Sequence, residues 1–437
     1  MKKHISILDS VERLRNKNRG IIALALVLLA PFVFAEEFTL QGAMETVFVP
    51  LQTQTGGGGD DASQTGLGIF GYSPNGGARF KLMADASHDR IGMRSYLRFY
   101  TSGVENRLDT IWLGVWVKPL DWLRFDVGSI EDWTLWGSFG QQSFAPYTQR
   151  SKDEDAIFTE FYYPSGVLLT ARPIENLFIG VGVPALKSKP VSTQPSYTLS
   201  MEDAEKAYER IQAAVGYTFE GVGLARFQYV GANPEAKITL DEGTPPESFI
   251  PSVSSYAKFE GAFAYNGTPG LLVDIGFKIP VAFEQDDAEI LAPYQISGGA
   301  KAGIGKITIE GRVDTLFGSV IKPSPSVDDK IKFAPQVNFH LTPSYKTDSS
   351  FTIGLDFGLE SYGETTDKNG NVIQGMNGGT RGGIGAFVRK DFAPGSYVIG
   401  GLGYHFGGEL NSVDQKSVFT IPIIFNYTSP KASLLPK

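Results

Sequence analysis

Charged side chains recur at every second position within several short runs of this 437-residue chain, and the residues between them are mostly apolar. Arg79 and Lys81 stand two apart. Arg94 and Arg98 follow in RIGMRSYLRFY, Arg124 and Asp126 in LRFDV, Glu310, Arg312 and Asp314 in KITIEGRVD, and Asp356 in FTIGLDFGLE. Successive side chains of a strand point to opposite faces, so each such row lies on one surface. A row of fixed charges beside water orients ions and polar solutes and leaves them mobile; it transfers no proton. The same residues are equally suited to bracing one another as ion pairs across a filled interior, and the pattern leaves both readings open.

Other chemistry finds little support. TTDKNGNV has the cadence of a calcium loop, but Thr365 stands where an aspartate is needed and the late carboxylate is missing, so Asn369 and Gly370 read as a turn. GGGGDD at 56–61 lacks the Lys-Ser/Thr ending of a phosphate loop, and its aspartates would repel phosphate. His88, His340 and His405 are isolated, and no G-x-S-x-G elbow is present. The chain has no cysteine, which removes disulfides, thiolate metal sites and cysteine nucleophiles together. No cofactor, metal or catalytic set is expected, although a dispersed Ser-His-Asp site on a barrel wall is a minor alternative.

The elements that must hold the charged rows are strands. In WVKPLDWLRFDVG and the residues before it, Ile111, Leu113, Val115 and Val117 oppose Trp112, Gly114, Trp116 and Lys118; after a turn at Pro119 to Asp121, Leu123, Phe125 and Val127 oppose Arg124 and Asp126. Ile91, Met93, Leu97 and Phe99 oppose Arg94, Tyr96, Arg98 and Tyr100 in the same way, and KIKFAPQVNFHL reads as one strand. Tight links are expected near 87–89, 119–121, 173–176, 220–221, 266–270, 305, 342–350 and 391–395. Longer polar links fall between them, near 103–108, 131–155, 185–207, 232–254, 282–292, 318–329, 361–377 and 408–416. Short and long links in alternation describe a transmembrane antiparallel β-barrel with its long loops at one end.

Counting by this parity gives an all-β barrel of about 18 strands over 63–428, with 16 if one weak segment belongs to a loop. Residues 36–62 are either the first strand with its loop or an N-terminal segment outside the barrel, and 429–437 form a short tail. Hydrocarbon satisfies no peptide group, so the sheet must close, and a barrel of this size encloses water unless a loop fills it. With the apolar face toward lipid, Arg79, Lys81, Arg94, Arg98 and Arg124 make a basic strip inside. Asp85, Asp126, Lys258, Glu260, Asp274, Lys278, Glu310, Arg312, Asp314, Asp356 and Glu360 supply acidic or mixed positions, many of them across from it. Trp122, Trp133 and Trp136 suit interfacial belts. SMEDAEKAYERI, at 200–211 and beginning in the 185–207 link, reads as a brief loop helix with Ser200 as its N-cap. KPLDWLRFDVG at 118–128 echoes RPIENLFIGVG at 172–182, consistent with reused hairpins.

Residues 1–35 read as a cleaved export signal: six basic side chains precede the 15-residue run IIALALVLLAPFVFA, too short to span as a helix, with Val33 and Ala35 before the cut. Its removal takes the formal charge from −8 to −12, which argues against a nucleic-acid partner.

METVFVPLQ, ARFKLMADASHDRIGMRSYLRFY and IWLGVWVKPLDWLRFDVGSIED resemble the spirochaete, treponemal-type family of outer-membrane β-barrel proteins, chiefly over residues 43–133. The resemblance implies outer-membrane lipid and the barrel-assembly machinery as partners and transfers no catalytic residue. The tail TSPKASLLPK departs from the terminal aromatic common in Gram-negative porins, which puts the usual assembly signal in doubt. The function expected is a porin-like channel for small hydrophilic solutes or ions. The alternatives are a hydrophobic-substrate transporter and a surface adhesin or structural barrel with a plugged lumen. No pattern separates a protein contact face from a lipid face, so the oligomeric state is left open.

Overall fold

The structure is a computed structural model that describes residues 37–56, 62–68, 78–101, 106–132, 161–184, 211–231, 257–281, 283–285, 288–291, 293–318, 320–322, 331–332, 334–367, 369–372, 377–406, 408–410 and 413–433. The export signal, residues 200–210 of the expected loop helix, Trp133 and Trp136 lie outside these residues, as do 57–61 of the glycine run.

Among the described residues, eighteen antiparallel strands close into one barrel. They are β1 (Glu37–Thr55), β2 (Arg79–His88), β3 (Ile91–Thr101), β4 (Asn106–Leu120), β5 (Leu123–Asp132), β6 (Phe161–Ala171), β7 (Leu177–Pro184), β8 (Gln212–Phe219) and β9 (Gly223–Val230). The second half comprises β10 (Lys258–Thr268), β11 (Leu271–Pro280), β12 (Tyr294–Ile304), β13 (Ile307–Phe317), β14 (Gln336–Lys346), β15 (Phe351–Tyr362), β16 (Gly379–Ala393), β17 (Ser396–Phe406) and β18 (Ser417–Thr428). Each pairs with the next, and β18 returns to β1 through Ala43↔Thr428 to Thr55↔Ser417, so no barrel edge is left unpaired there.

The parity expected from the sequence holds on both faces. Val273, Ile275, Phe277 and Ile279 of β11 are exposed, whereas Asp274 and Lys278 between them are buried. Strands around the barrel repeat this, with Val115 and Val117, Ile353 and Leu355, and Leu402 and Tyr404 all exposed. A water-soluble fold hides its apolar side chains and exposes its charges; here the relation is inverted, as a sheet in lipid requires. Rings gather on neighbouring strands of the outer face, Phe227 over Phe259 at 6.1 Å and Tyr294 over Phe317 at 5.8 Å.

The eight short links all lie at one end, and all eight fall where the sequence places a tight turn. Asn176 adopts a φ of 69° in the 172–176 turn, and Gly305 and Gly395 adopt 62° and 72°, which glycine does without strain. Both halves of the internal echo sit at such turns, Asp121–Trp122 and 172–176, and Trp122 is exposed there. The long links lie at the other end. Two of them form a separate small sheet, in which Phe283–Gln285, Ala288–Leu291, Val320–Lys322 and Ile331–Lys332 pair in that order, and Lys332 bridges to Thr366 of a third.

Two details depart from the sequence reading. KIKFAPQVNFHL is not one strand: Ile331–Lys332 belongs to the small sheet and β14 begins at Gln336, immediately after Pro335. Proline has no N–H to give a ladder, so the barrel pairing starts beyond it. The first strand is longer than expected and shares one edge between two partners. Glu37–Glu45 pair with β2, and Val47–Gln54 pair with the short strand Ala62–Gly68.

Candidate functional site

The barrel's inner wall is the surface on which the structure gathers its polar chemistry. Cross-strand register carries the inner face from strand to strand. Lys81 lies opposite Arg98, Asp85 opposite Arg94, and Trp116 opposite Asp126. Further round, Gln228 faces Glu260, Glu260 faces Lys278, Ser297 faces Asp314, and Asn338 faces Glu360. All ten residues singled out from the sequence therefore stand on one continuous face, the one that does not meet lipid.

Their surroundings differ. On β2–β5 the strip is less purely basic than its sequence suggests. Arg94 Nε donates to Asp85 Oδ1 at 2.8 Å, Lys431 Nζ lies 3.7 Å from the other oxygen of Asp85, and Arg124 grips Asp126 with two bonds of 2.8 and 2.5 Å. The Arg124 guanidinium lies 4.9 Å from the centre of the Trp116 ring and Lys118 Nζ 5.3 Å from it, so this tryptophan sits inside the barrel between two cations. Trp112 pairs with Tyr96 in the ladder. Arg79 is buried, Lys81 and Arg98 are half-buried, and Arg94 is exposed.

On β10–β15 the charged residues form a tighter wall. Glu260 is buried and lies 3.7 Å from Lys258 and 3.9 Å from Lys278, both buried too. Gln228 donates to it at 2.5 Å and itself accepts from Gln212 at 3.1 Å. Arg312 holds Asp314 through two bonds of 2.8 and 2.9 Å, and Lys301 lies 3.1 Å from Glu310. Asp356 is buried between His340 and the Thr342 hydroxyl, which donates to it at 2.6 Å. Arg381 donates to Glu360, which also receives the Tyr362 hydroxyl at 3.3 Å. Asp314 and Asp356 thus act as braces within the wall rather than as charges facing open water. A buried pair of this kind holds one arrangement, because losing one partner strands the other without solvent.

Sequence reasoning missed Arg226, Lys301 and Arg381. Parity alone reaches Arg381, since Arg381, Gly383, Gly385 and Phe387 alternate with Ile384, Ala386 and Val388 in GTRGGIGAFVRKDFA. Lys301 sits in SGGAKAGI, where glycine and alanine flatten the alternation that would reveal its face.

Outside the wall, the 365–372 run is a turn. Asp367 Oδ1 accepts from the backbone N–H groups of Asn369 and Asn371 at 2.8 Å each, and Gly370 takes a φ of 81°. Those donors hold the Asp367 carboxyl below its ordinary pKa. Among the described residues, no group of three or more His, Cys, Asp or Glu side chains is arranged to hold a metal.

A closed eighteen-strand sheet with an apolar exterior and a charged interior is a transmembrane antiparallel β-barrel. Solved outer-membrane structures share the barrel fold. OpdQ of Pseudomonas aeruginosa superposes with a TM-score of 0.53 at 9% identity, over 91% of this chain and 98% of its own. A BenF-like porin of Pseudomonas fluorescens Pf-5 gives 0.53 at 12%, over 92% and 100%, and OpdL of Pseudomonas aeruginosa gives 0.51 at 10%, over 91% and 99%. No protein-family profile and no curated protein sequence matches the chain.

Proposed function

We propose that this protein is a porin-like channel of a bacterial outer membrane, allowing passive diffusion of small hydrophilic solutes or ions. One observation carries the reading: the barrel closes with lipid-suited side chains outside and ionised side chains inside, and several of the inner cations, Arg94 foremost, reach water. Eighteen strands leave room for an aqueous passage, and paired charges along its wall give it a field without chemistry. The short turns then face the periplasm and the long links the exterior. Membership of the spirochaete family that residues 43–133 resemble is part of this proposal, as are assembly by the barrel-assembly machinery and the absence of catalysis.

The deciding experiment is single-channel recording with the mature protein refolded into a planar bilayer, after a folding check by heat-dependent gel mobility. Stable ohmic steps are the expected result. Folded, inserted protein that gives no steps would refute the open channel and turn attention to a plugged barrel whose long links do the work.

A further inference from the structure

We propose that the channel prefers small anions, although the chain as a whole is acidic; the inference rests on the open-channel reading above. It comes from the direction in which the inner ion pairs point. Side-chain exposure is 45% for Arg94 against 34% for Asp85, 29% for Arg124 against 20% for Asp126, 40% for Lys301 against 17% for Glu310, and 36% for Arg381 against 10% for Glu360. In each pair the cation is the more exposed partner, by a modest margin over Asp85 and Asp126 and by a wide one over Glu310 and Glu360, which lie back in the wall. Arg312 with Asp314 repeats the order among less exposed groups. Arg389 with Asp391 reverses it, beside the turn at the short-link end, where the Arg389 guanidinium lies 4.0 Å from the Tyr397 ring.

The orientation has a chemical cause. Neutral donors of the wall hold the carboxylates in place: the Tyr362 hydroxyl on Glu360, the Thr342 hydroxyl on Asp356, the Gln228 amide on Glu260. Arginine and lysine have longer stems and no acceptor in the head group, so they span from the wall acid into the lumen. A pair so oriented is neutral in sum and dipolar in effect. Ions passing along it meet the positive end first, and the low-dielectric wall weakens the screening of that end. Lys81, Arg98 and Lys118 add to the same surface on β2–β4. The net negative charge of the whole chain does not set the field inside the barrel, because charges more than about 10 Å away are screened at 0.1 M salt.

The test is the reversal potential of single channels in a potassium chloride gradient across a bilayer of neutral phosphatidylcholine. The wild-type protein should pass chloride over potassium by about 3-fold or more near 0.1 M salt. The ratio should fall toward unity near 1 M, where the screening length drops to about 3 Å. Replacing the four water-facing cations together (Arg94→Gln, Arg124→Gln, Lys301→Gln, Arg381→Gln) should bring the ratio to about 1 or below, and neutralising their acids (Asp85→Asn, Asp126→Asn, Glu310→Gln, Glu360→Gln) should raise it. If either variant fails to fold, the wild-type ratio decides alone. Conducting wild-type channels with a ratio at or below 1 would overturn the anion preference and leave the channel standing. Folded protein without conductance would overturn the channel, and the preference with it.

Discussion

The Trp116 ring packs against Gly92 on the neighbouring strand, so close that a Cβ on the glycine would come within 2.4 Å of the ring and 2.7 Å of the Ala86 carbonyl oxygen. The glycine leaves a hollow in the inner wall, and the indole fills it. Filling it this way brings the ring under the Arg124 guanidinium, 4.9 Å away, and beside Lys118. An aromatic side chain over a strand glycine also covers backbone that would otherwise be bare.

Gly92→Ala should therefore push Trp116 out of place and destabilise the barrel by about 1–3 kcal/mol, the usual cost of overpacking a site that cannot relax. Gly400 is the matched control: a Cβ there meets nothing within 4 Å and its backbone is not left-handed, so Gly400→Ala should leave stability unchanged or slightly raised. The midpoint of urea unfolding in detergent or liposomes distinguishes the two. Equal midpoints for both variants would show that the indole is not seated on Gly92.

How far this structure is legible in the sequence depends on the range of the interaction concerned. Alternation is local, and it fixes which face Arg94, Arg124 or Asp356 occupies and where all eight tight turns fall. Water contact is not local. Arg94 and Asp356 are placed on the inner face by the same alternation of charge-bearing and other residues along a strand. Yet Arg94 reaches water, while Asp356 is buried by His340 and Thr342, 16 and 14 positions earlier on a strand that only the ladder brings alongside. Glu260 is likewise enclosed from both flanks, by Gln228 on β9 and Lys278 on β11. The division of KIKFAPQVNFHL was signalled locally by Pro335, whereas the small sheet that takes up its first half is assembled from distant links.

Glu260 should be the most sensitive carboxylate of the inner wall. It is buried between two buried ammonium groups, and Glu260→Leu would leave Lys258 and Lys278 repelling each other away from solvent, a loss of about 3–5 kcal/mol. Adding Lys278→Met to that variant should recover part of the loss, because one of two neighbouring buried like charges is gone. Unfolding midpoints of the single and double variants measure this directly. A double variant less stable than Glu260→Leu alone would mean that Lys278 draws its stability from other partners.

The turn at 367–371 should loosen in acid. The folded Asp367 carboxyl titrates below its ordinary value because backbone N–H groups of Asn371 and Asn369 bond its ionised form, so the stabilisation is fully present above the unfolded value of 3.8. It declines as pH falls below that value toward the lower folded one. Protection factors for the Asn369 and Asn371 amides, corrected for intrinsic exchange, should be flat from neutral pH down to about 4 and drop below it. Asp367→Asn should abolish the drop. Protection that stays level to pH 2 in the unmodified protein would contradict the assignment.

Closure of the barrel fixes a register that the chain's lack of cysteine makes easy to test. Gln54 on β1 lies directly opposite Val418 on β18, in the pairing that closes the barrel. Opposed residues of antiparallel strands hold their Cα atoms about 4.5–5.5 Å apart, within reach of a disulfide. A Gln54→Cys, Val418→Cys double variant should therefore oxidise to an intramolecular crosslink joining the two ends of the barrel sequence, seen as faster migration of the unfolded chain on a non-reducing gel. Gln54→Cys with Thr420→Cys displaces the partner by two residues while keeping the inner face, and it should crosslink poorly, since Thr420 faces Gln52. Reversal of the two yields would move the seam by two residues and carry Val47, now opposite Ile424, out of its present contact. Crosslinked dimers in place of monomers would indicate that β1 and β18 close between chains, and that an eighteen-strand barrel of one chain is the wrong assembly.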